Sequence, residues 1–117
     1  MTAMTLYHNP RCSKSRNALH LLQERGFSPT IVRYLETPLN AVQLQTLLST
    51  LGLNVRQLLR TGEDDYKALG LSNLQLTDEQ LFDALLSQPK LLERPILVVG
   101  DKAVIGRPPE TILEILP

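Results

Sequence analysis

The chain's single cysteine lies where a short apolar segment gives way to a helical pattern. The apolar run Met4–Tyr7 predicts a strand, residues 8–10 predict a loop, and helical spacing of apolar residues begins close to Cys12. The first N–H groups of a helix have no partner within the helix and carry partial positive charge, so this position favours an anion. We therefore expect a strand–loop–helix unit that holds the thiol in a field stabilising its thiolate.

Two interpretations of Cys12 remain open at this point. Lowering the pKa of a thiol by two units takes about 2.7 kcal/mol, and a helix N-terminus supplies up to about 2 kcal/mol in a partly buried site. Arg11, Lys14, Arg16 or a protonated His8 are candidates for the remainder. The alternative is a buried cysteine that packs as a small hydrophobic residue. The polar and basic neighbours favour the reactive thiolate.

Composition excludes several classes of function. A chain of 117 residues predicts a single domain, 1–117, and its 12 Lys and Arg balance its 12 Asp and Glu, so we expect neither a nucleic-acid partner nor an anionic membrane surface. One cysteine rules out an internal disulfide, and with two histidines it leaves little for a metal site. No signal peptide or membrane span is predicted, and a reducing cytoplasm fits best.

The order of elements predicts an α/β fold. A helix should follow Cys12 and end at Gly26, and residues 30–34 should form a second strand, parallel to the first. The apolar run at 96–99, a turn at 100–101 and a returning strand at 103–106 predict an antiparallel hairpin, with a last helix after Pro109. The sequence therefore predicts β-α-β, an inserted helical layer, and β-β-α, forming a mixed four-stranded sheet covered by helices.

The segment from about 39 to 92 is predicted to form the inserted helical layer. Asn40 with Gln43, and Thr77 with Gln80, have the spacing of capping boxes, and short helices are expected near 54–59 and 65–69. Its many leucines favour a packed core over a cofactor pocket. Arg60 falls at a helix end, where a cation either binds a ligand or simply stabilises the helix terminus.

Four separated stretches, in the same order along the chain, carry a family resemblance. Residues 6–16, 55–60, 93–96 and 105–108 closely resemble the glutaredoxin-coupled arsenate reductase family, ArsC-like proteins with a thioredoxin fold and an inserted helical layer. The resemblance implies that Cys12 is the nucleophile. It also implies that Arg60, Arg94 and Arg107 bind an oxyanion.

The same resemblance assigns three supporting residues. It implies that His8 helps keep the thiol ionised, that Ser15 supplies a nearby hydroxyl, and that Pro95 follows a cis peptide bond facing the cysteine. For His20, inside the first helix, a surface or packing role is expected instead.

The expected chemistry follows from the number of thiols that the reaction needs and the number that the chain has. Reducing arsenate to arsenite takes two electrons and hence two thiols, and this chain has one. The resemblance therefore implies glutathione as the external reductant, a glutaredoxin as the recycling partner, and no bound cofactor.

The cysteine loop lacks the residues that two other thiol chemistries require. A phosphatase loop needs an arginine six positions after the cysteine, where this chain has Ala18, and the dithiol of thioredoxin would need a cysteine at Ser15. Two alternatives stay open. One is a non-enzymatic redox regulator like the Spx proteins, and the other is a glutathione-dependent thiol-transfer enzyme with a different substrate.

Overall fold

The computed structural model describes residues 3–116. Its contacts divide the chain into two compact units. The sheet unit comprises the chain up to Thr37 and again from Arg94 onward, and the helical unit is Pro38–Glu93. The predicted helical insertion at about 39–92 occupies this second unit.

The sheet unit is built on four strands. They are β1 (Met4–Tyr7), β2 (Thr30–Val32), β3 (Ile96–Val99) and β4 (Lys102–Ile105), in the spatial order β2-β1-β3-β4. β1 pairs with β2 in parallel and with β3 antiparallel, and β3 pairs with β4 antiparallel. This confirms the predicted mixed four-stranded sheet.

Two helical elements pack against each other and complete the core of the sheet unit. α1 (Ser13–Glu24) makes the crossover that parallel pairing of β1 with β2 requires, and a 3₁₀ helix spans Pro109–Ile115. The buried apolar core is formed by strand and helix residues together, namely Leu6, Ala18, Leu22, Leu97, Val99 and Ile112. The last helix was predicted as the α-helix of the β-β-α unit, and it adopts the tighter 3₁₀ form instead.

The second strand is shorter than predicted. It ends at Val32, because the backbone turns immediately afterwards and the N–H groups of Glu36 and Thr37 both donate to the carbonyl of Arg33. Tyr34, which its aromatic character had placed in the strand, lies in this turn with its side chain buried. Its apolar surface is therefore removed from water without sheet pairing.

The helical unit contains three α-helices and two 3₁₀ turns. These are α2 (Ala41–Leu51), the turn Val55–Leu58, α3 (Asp64–Ala68), α4 (Asp78–Ser87) and the turn Pro89–Leu91. The capping boxes predicted at the starts of α2 and α4 are present. A third, between Asn54 and Gln57, was not predicted. Gly52 ends α2 with a φ of 69°, a conformation that favours glycine.

Most leucines of this unit are buried or partly buried, as predicted, whereas Leu69 and Leu74 are exposed. The fully or nearly fully buried members are Leu44, Leu47, Leu58, Leu59, Leu71, Leu81, Leu85, Leu91 and Leu92. An isolated antiparallel bridge joins Leu59 to Leu92. Of the helices that the structure describes, none is long and apolar enough to span a membrane.

Gly106 lies in a position with no room for a side chain. A Cβ there would be 2.8 Å from Pro95 Cγ and 3.0 Å from Ile112 Cγ2. We expect Gly106→Ala to lower the free energy of unfolding by about 1–3 kcal/mol, since overpacking forces neighbouring groups to move. Urea denaturation measures this change.

Gly62→Ala is the matched control, because a Cβ at Gly62 meets nothing within 4 Å. It should leave the free energy of unfolding unchanged or slightly raised. Equal denaturation midpoints for the Gly62 and Gly106 variants would contradict the tight packing of Gly106 against Pro95.

Candidate active site

Cys12 is the N-cap residue of α1, as the sequence predicted. Its φ and ψ of −93° and 123° are extended, its N–H donates to the carbonyl of Asn9 at 3.0 Å, and its side chain is partly exposed. The N–H groups of Lys14 and Ser15, in the first turn of α1, favour the ionised form of the thiol. The thiol therefore occupies the anion position that a helix N-terminus provides.

Two arginines from the other end of the chain reach the same sulfur. Arg107 Nη2 lies 3.7 Å from Cys12 Sγ, and Arg94 donates a side-chain hydrogen bond to the thiol. Arg107 is held in place because its Nε donates to the carbonyl of Arg94 at 2.7 Å. The fold thus brings together Cys12, Arg94 and Arg107.

Both arginines precede a proline across a cis peptide bond. The Arg94–Pro95 bond is cis, as the resemblance implied, and Pro95 is fully buried. The Arg107–Pro108 bond is also cis, which the sequence analysis did not predict. X-Pro bonds are the ones that adopt this geometry readily, so the prolines after each arginine were the available signal.

These contacts determine the ionisation of the thiol. Burial of the sulfur opposes ionisation, but the N–H groups of Ser15 and Lys14 together with the Arg94 guanidinium outweigh it and lower the pKa of Cys12. A larger fraction of the thiol is consequently ionised near neutral pH than in a free cysteine. This is the property that a sulfur nucleophile requires.

A protonated His8 was one of four candidates to supply positive charge to the thiolate, whereas its implied role in keeping the thiol ionised stays a prediction. Burial of the imidazole, with the charges of Arg33 and Arg16, lowers the pKa of His8, so its ring is neutral at pH 7. A protonated His8 therefore does not supply positive charge to the thiolate. Protonation would place a positive charge on a buried ring that already has two cations near it, and both the burial and the repulsion disfavour that charge.

Instead, His8 belongs to a buried hydrogen-bond network beneath the cysteine loop. His8 Nδ1 lies 2.6 Å from Ser15 Oγ, which also accepts the N–H of Asn9 at 3.0 Å. The neutral ring and the Ser15 hydroxyl are thus hydrogen-bonded to each other inside the loop. The side chain of Asn9 accepts the N–H of Arg11 at 3.0 Å, so this buried residue fixes the loop in an Asx turn.

Asn9 is a supporting residue that was not predicted, because the sequence indicated only that it lies in a loop. The Asn-Pro pair was the signal for it, since asparagine before proline favours turn initiation. Its backbone and side chain together set the path of the chain into α1.

The pKa of His8 predicts how stability depends on pH. The unfolded histidine takes up a proton below pH of about 6.5, whereas the folded ring resists protonation. The contribution of His8 to the free energy of unfolding is therefore fully present above that pH and is lost as the pH falls through the folded pKa. We expect chemical denaturation from pH 7.5 to 5 to show this decline.

The His8→Gln variant should lack that part of the pH dependence, whatever its absolute stability. His20, the other histidine, is exposed on α1, 3.9 Å from Glu24, and is unchanged in this variant. Parallel stability profiles for the two proteins would contradict the lowered pKa of His8. Of the surface or packing role predicted for His20, the structure confirms the surface position.

Arg60 belongs to the helical unit. It follows the Val55–Leu58 turn and forms ion pairs with Glu63 at 2.9 Å and with Glu93 at 3.4 Å. Its N–H donates to the carbonyl of Leu91 at 2.7 Å, which anchors its backbone. Its role in binding an oxyanion stays a prediction.

The sheet and the cysteine site together define a class of protein. A β2-β1-β3-β4 mixed sheet, with one cysteine at the start of α1 and a cis-proline immediately before β3, is a thioredoxin-like fold with a monothiol site. The sequence model of the ArsC family matches residues 7–115, and the chain belongs to this family.

Individual relatives agree with that assignment. The chain is 54% identical over 112 residues to the uncharacterized protein YfgD of Escherichia coli K12, covering 95% of this chain and 94% of the relative. It is 49% identical over 115 residues to an arsenate reductase of Haemophilus influenzae, covering 97% and 99%. A solved structure of an arsenate reductase from Vibrio cholerae has a TM-score of 0.94 at 48% identity, covering 98% of both chains.

Proposed function

We propose that this protein is an oxidoreductase that reduces arsenate to arsenite, with Cys12 as the nucleophile. The observation that carries the proposal is the thiol itself, which lies at the N-terminus of α1 with Arg107 Nη2 3.7 Å from the sulfur and the Arg94 guanidinium lowering its pKa. Membership of the ArsC family and the arsenate reductases among its relatives support arsenate as the substrate.

The two electrons come from two sulfurs. The Cys12 thiolate attacks arsenic and displaces one oxygen as water, forming a thiol-linked arsenic(V) adduct. Glutathione then contributes the second thiol, so that arsenic leaves as arsenite and the two sulfurs end in a disulfide between Cys12 and glutathione. A glutaredoxin reduces that disulfide and regenerates the Cys12 thiol. The chain has no second cysteine that would replace glutathione.

The arginines solve an electrostatic problem in this scheme. The thiolate and arsenate are both anions and repel each other, so the approach needs fixed positive charge at the point of attack. Arg94 and Arg107 supply this charge at the sulfur, in a geometry that is set before substrate binds. Planar guanidinium groups also match the paired oxygens of a tetrahedral oxyanion. Arg60 is proposed as a third ligand of the oxyanion.

The experiment is a turnover assay with defined components. Purified protein is mixed with arsenate, glutathione, a glutaredoxin and a system that regenerates reduced glutathione, and arsenite is measured directly. We expect arsenite formation to require the protein, glutathione and glutaredoxin together. Absence of arsenite with every component present would overturn the proposal.

A matched assay replaces glutathione and glutaredoxin by thioredoxin and its reductase. We expect little turnover in this system, because a monothiol site cannot form the internal disulfide that thioredoxin reduces. Equal rates with both systems would contradict the proposed dependence on glutathione while leaving arsenate reduction in place.

A further inference from the structure

Two further arginines lie at the same end of the sheet as the thiol. The N–H of His8 donates to the carbonyl of Val32 at 2.9 Å, which places the end of β2 against the loop that carries Cys12. Arg33 comes directly after Val32. Arg16 lies one helical turn beyond Cys12, its N–H donating to the Cys12 carbonyl at 3.0 Å.

The side chain of Arg16 is directed towards this loop. Its Nη1 donates to the carbonyl of Pro10 at 2.9 Å, although the residue as a whole is exposed. Arg33 is also exposed. Both guanidiniums can therefore meet a molecule that approaches the cysteine loop from solvent.

The charge of this pair is not neutralised by nearby acids. Among residues 3–116, neither Arg16 nor Arg33 forms an ion pair in the structure, and the acidic residue of the following turn, Glu36, is exposed and bonds to Arg33 through its backbone N–H only. Both positive charges act on the buried ring of His8 and lower its pKa. Positive potential thus extends from the surface to the network beneath Cys12.

We propose that Arg16 and Arg33 form a second anion-binding subsite, which holds a carboxylate of the small thiol that reacts at Cys12. The inference rests on the proposed function, in which that thiol is glutathione. Glutathione carries two carboxylates and one ammonium group, and a guanidinium pairs with a carboxylate through two parallel hydrogen bonds. Arg94 and Arg107 are engaged at the sulfur, so a separate pair of cations serves the reductant without displacing them.

The subsite is tested by a reaction that contains no arsenate. The Cys12 thiolate attacks one sulfur of oxidised glutathione, forming a Cys12–glutathione disulfide and releasing the other half as a glutathione thiolate. Mass spectrometry of the intact protein follows the rate. A failure of arsenate reduction is thereby separated from a failure of the subsite.

Three disulfides of different charge are compared. Oxidised glutathione is anionic, bis(2-hydroxyethyl) disulfide is neutral, and cystamine is cationic. In Arg16→Gln and in Arg33→Gln we expect the rate with oxidised glutathione to fall about three- to tenfold, the size of effect that exposed charges produce. The rate with the neutral disulfide should change less than about twofold, and the rate with cystamine should rise.

Arg25→Gln is the matched control, because Arg25 is also exposed but caps the opposite end of α1, about 20 Å of helix away from Cys12. It should leave all three rates close to those of the unmodified protein. An equal fall with oxidised glutathione in Arg25→Gln would overturn the subsite and indicate an effect of net charge alone.

Two other results would also overturn the proposal. An equal fall with all three disulfides would show that Arg16 and Arg33 act on the thiol and not on the incoming molecule. Unchanged rates with oxidised glutathione, together with slower reduction of the mixed disulfide by glutaredoxin, would assign the pair to docking of that protein.

Discussion

Replacing Cys12 by serine is expected to lower the rate of arsenate reduction by at least about 10³-fold, to the level of the assay without protein. A serine hydroxyl is not ionised near neutral pH. Serine also has no sulfur, so it cannot form the disulfide with glutathione that accompanies the reduction. The chain contains no other cysteine to take over the reaction. Direct measurement of arsenite under the complete assay conditions checks this result.

Binding of the oxyanion separates lost chemistry from a lost fold in this variant. Arg94 and Arg107 remain in Cys12→Ser, and the negative charge that repels the substrate is gone. Calorimetric titration with arsenate should therefore show affinity equal to or higher than that of the unmodified protein. Turnover that persists in Cys12→Ser would show that the reaction does not pass through this sulfur.

Replacing Arg107 by alanine should have the next largest effect. Its Nη2 lies 3.7 Å from the sulfur, so removing it withdraws positive charge both from the thiolate and from the approaching oxyanion. Loss of one such preorganised donor typically costs about 10²- to 10³-fold in rate. Steady-state kinetics with arsenate, together with titration of the thiol, measure the two consequences separately.

Two further variants test whether the loss of rate in Arg107→Ala comes from the missing guanidinium group at the sulfur. Arg107→Lys should recover only part of the rate, because a single ammonium group cannot both donate to the Arg94 carbonyl and reach the sulfur as the forked guanidinium does. Arg25→Ala removes an exposed cation at the far end of α1 and should leave the kinetics unchanged. Arg107→Ala with unaltered rate and thiol pKa would assign Arg107 a structural role only.

The local elements of this fold were predictable because local signals determine them. The strand before the loop, the helix that begins after Cys12, and the caps at Asn40 and Thr77 follow from periodicity and from side chains that bond within a few residues. The end of β2 was misjudged because Tyr34 has strand propensity but is buried in a turn, so its packing outweighed that preference.

The arrangement of the site residues around Cys12 could not be predicted from local sequence patterns. Arg94 and Arg107 meet the sulfur because β3 pairs with β1 and β4 with β3, which brings residues more than 80 positions apart into contact. Only the family resemblance indicated these arginines in advance. The neutral state of His8 also escaped prediction, because it arises from burial and from Arg33 and Arg16 around the ring.

The most direct test of this account is the pKa of the Cys12 thiol. Ultraviolet absorbance of the thiolate can be followed against pH, and the signal is unambiguous because the protein has a single cysteine. We predict a midpoint clearly below the value of about 8.5 that is usual for a free cysteine, as the helix N–H groups and the Arg94 guanidinium require. A midpoint at or above that value would contradict the claim that this site maintains a reactive thiolate.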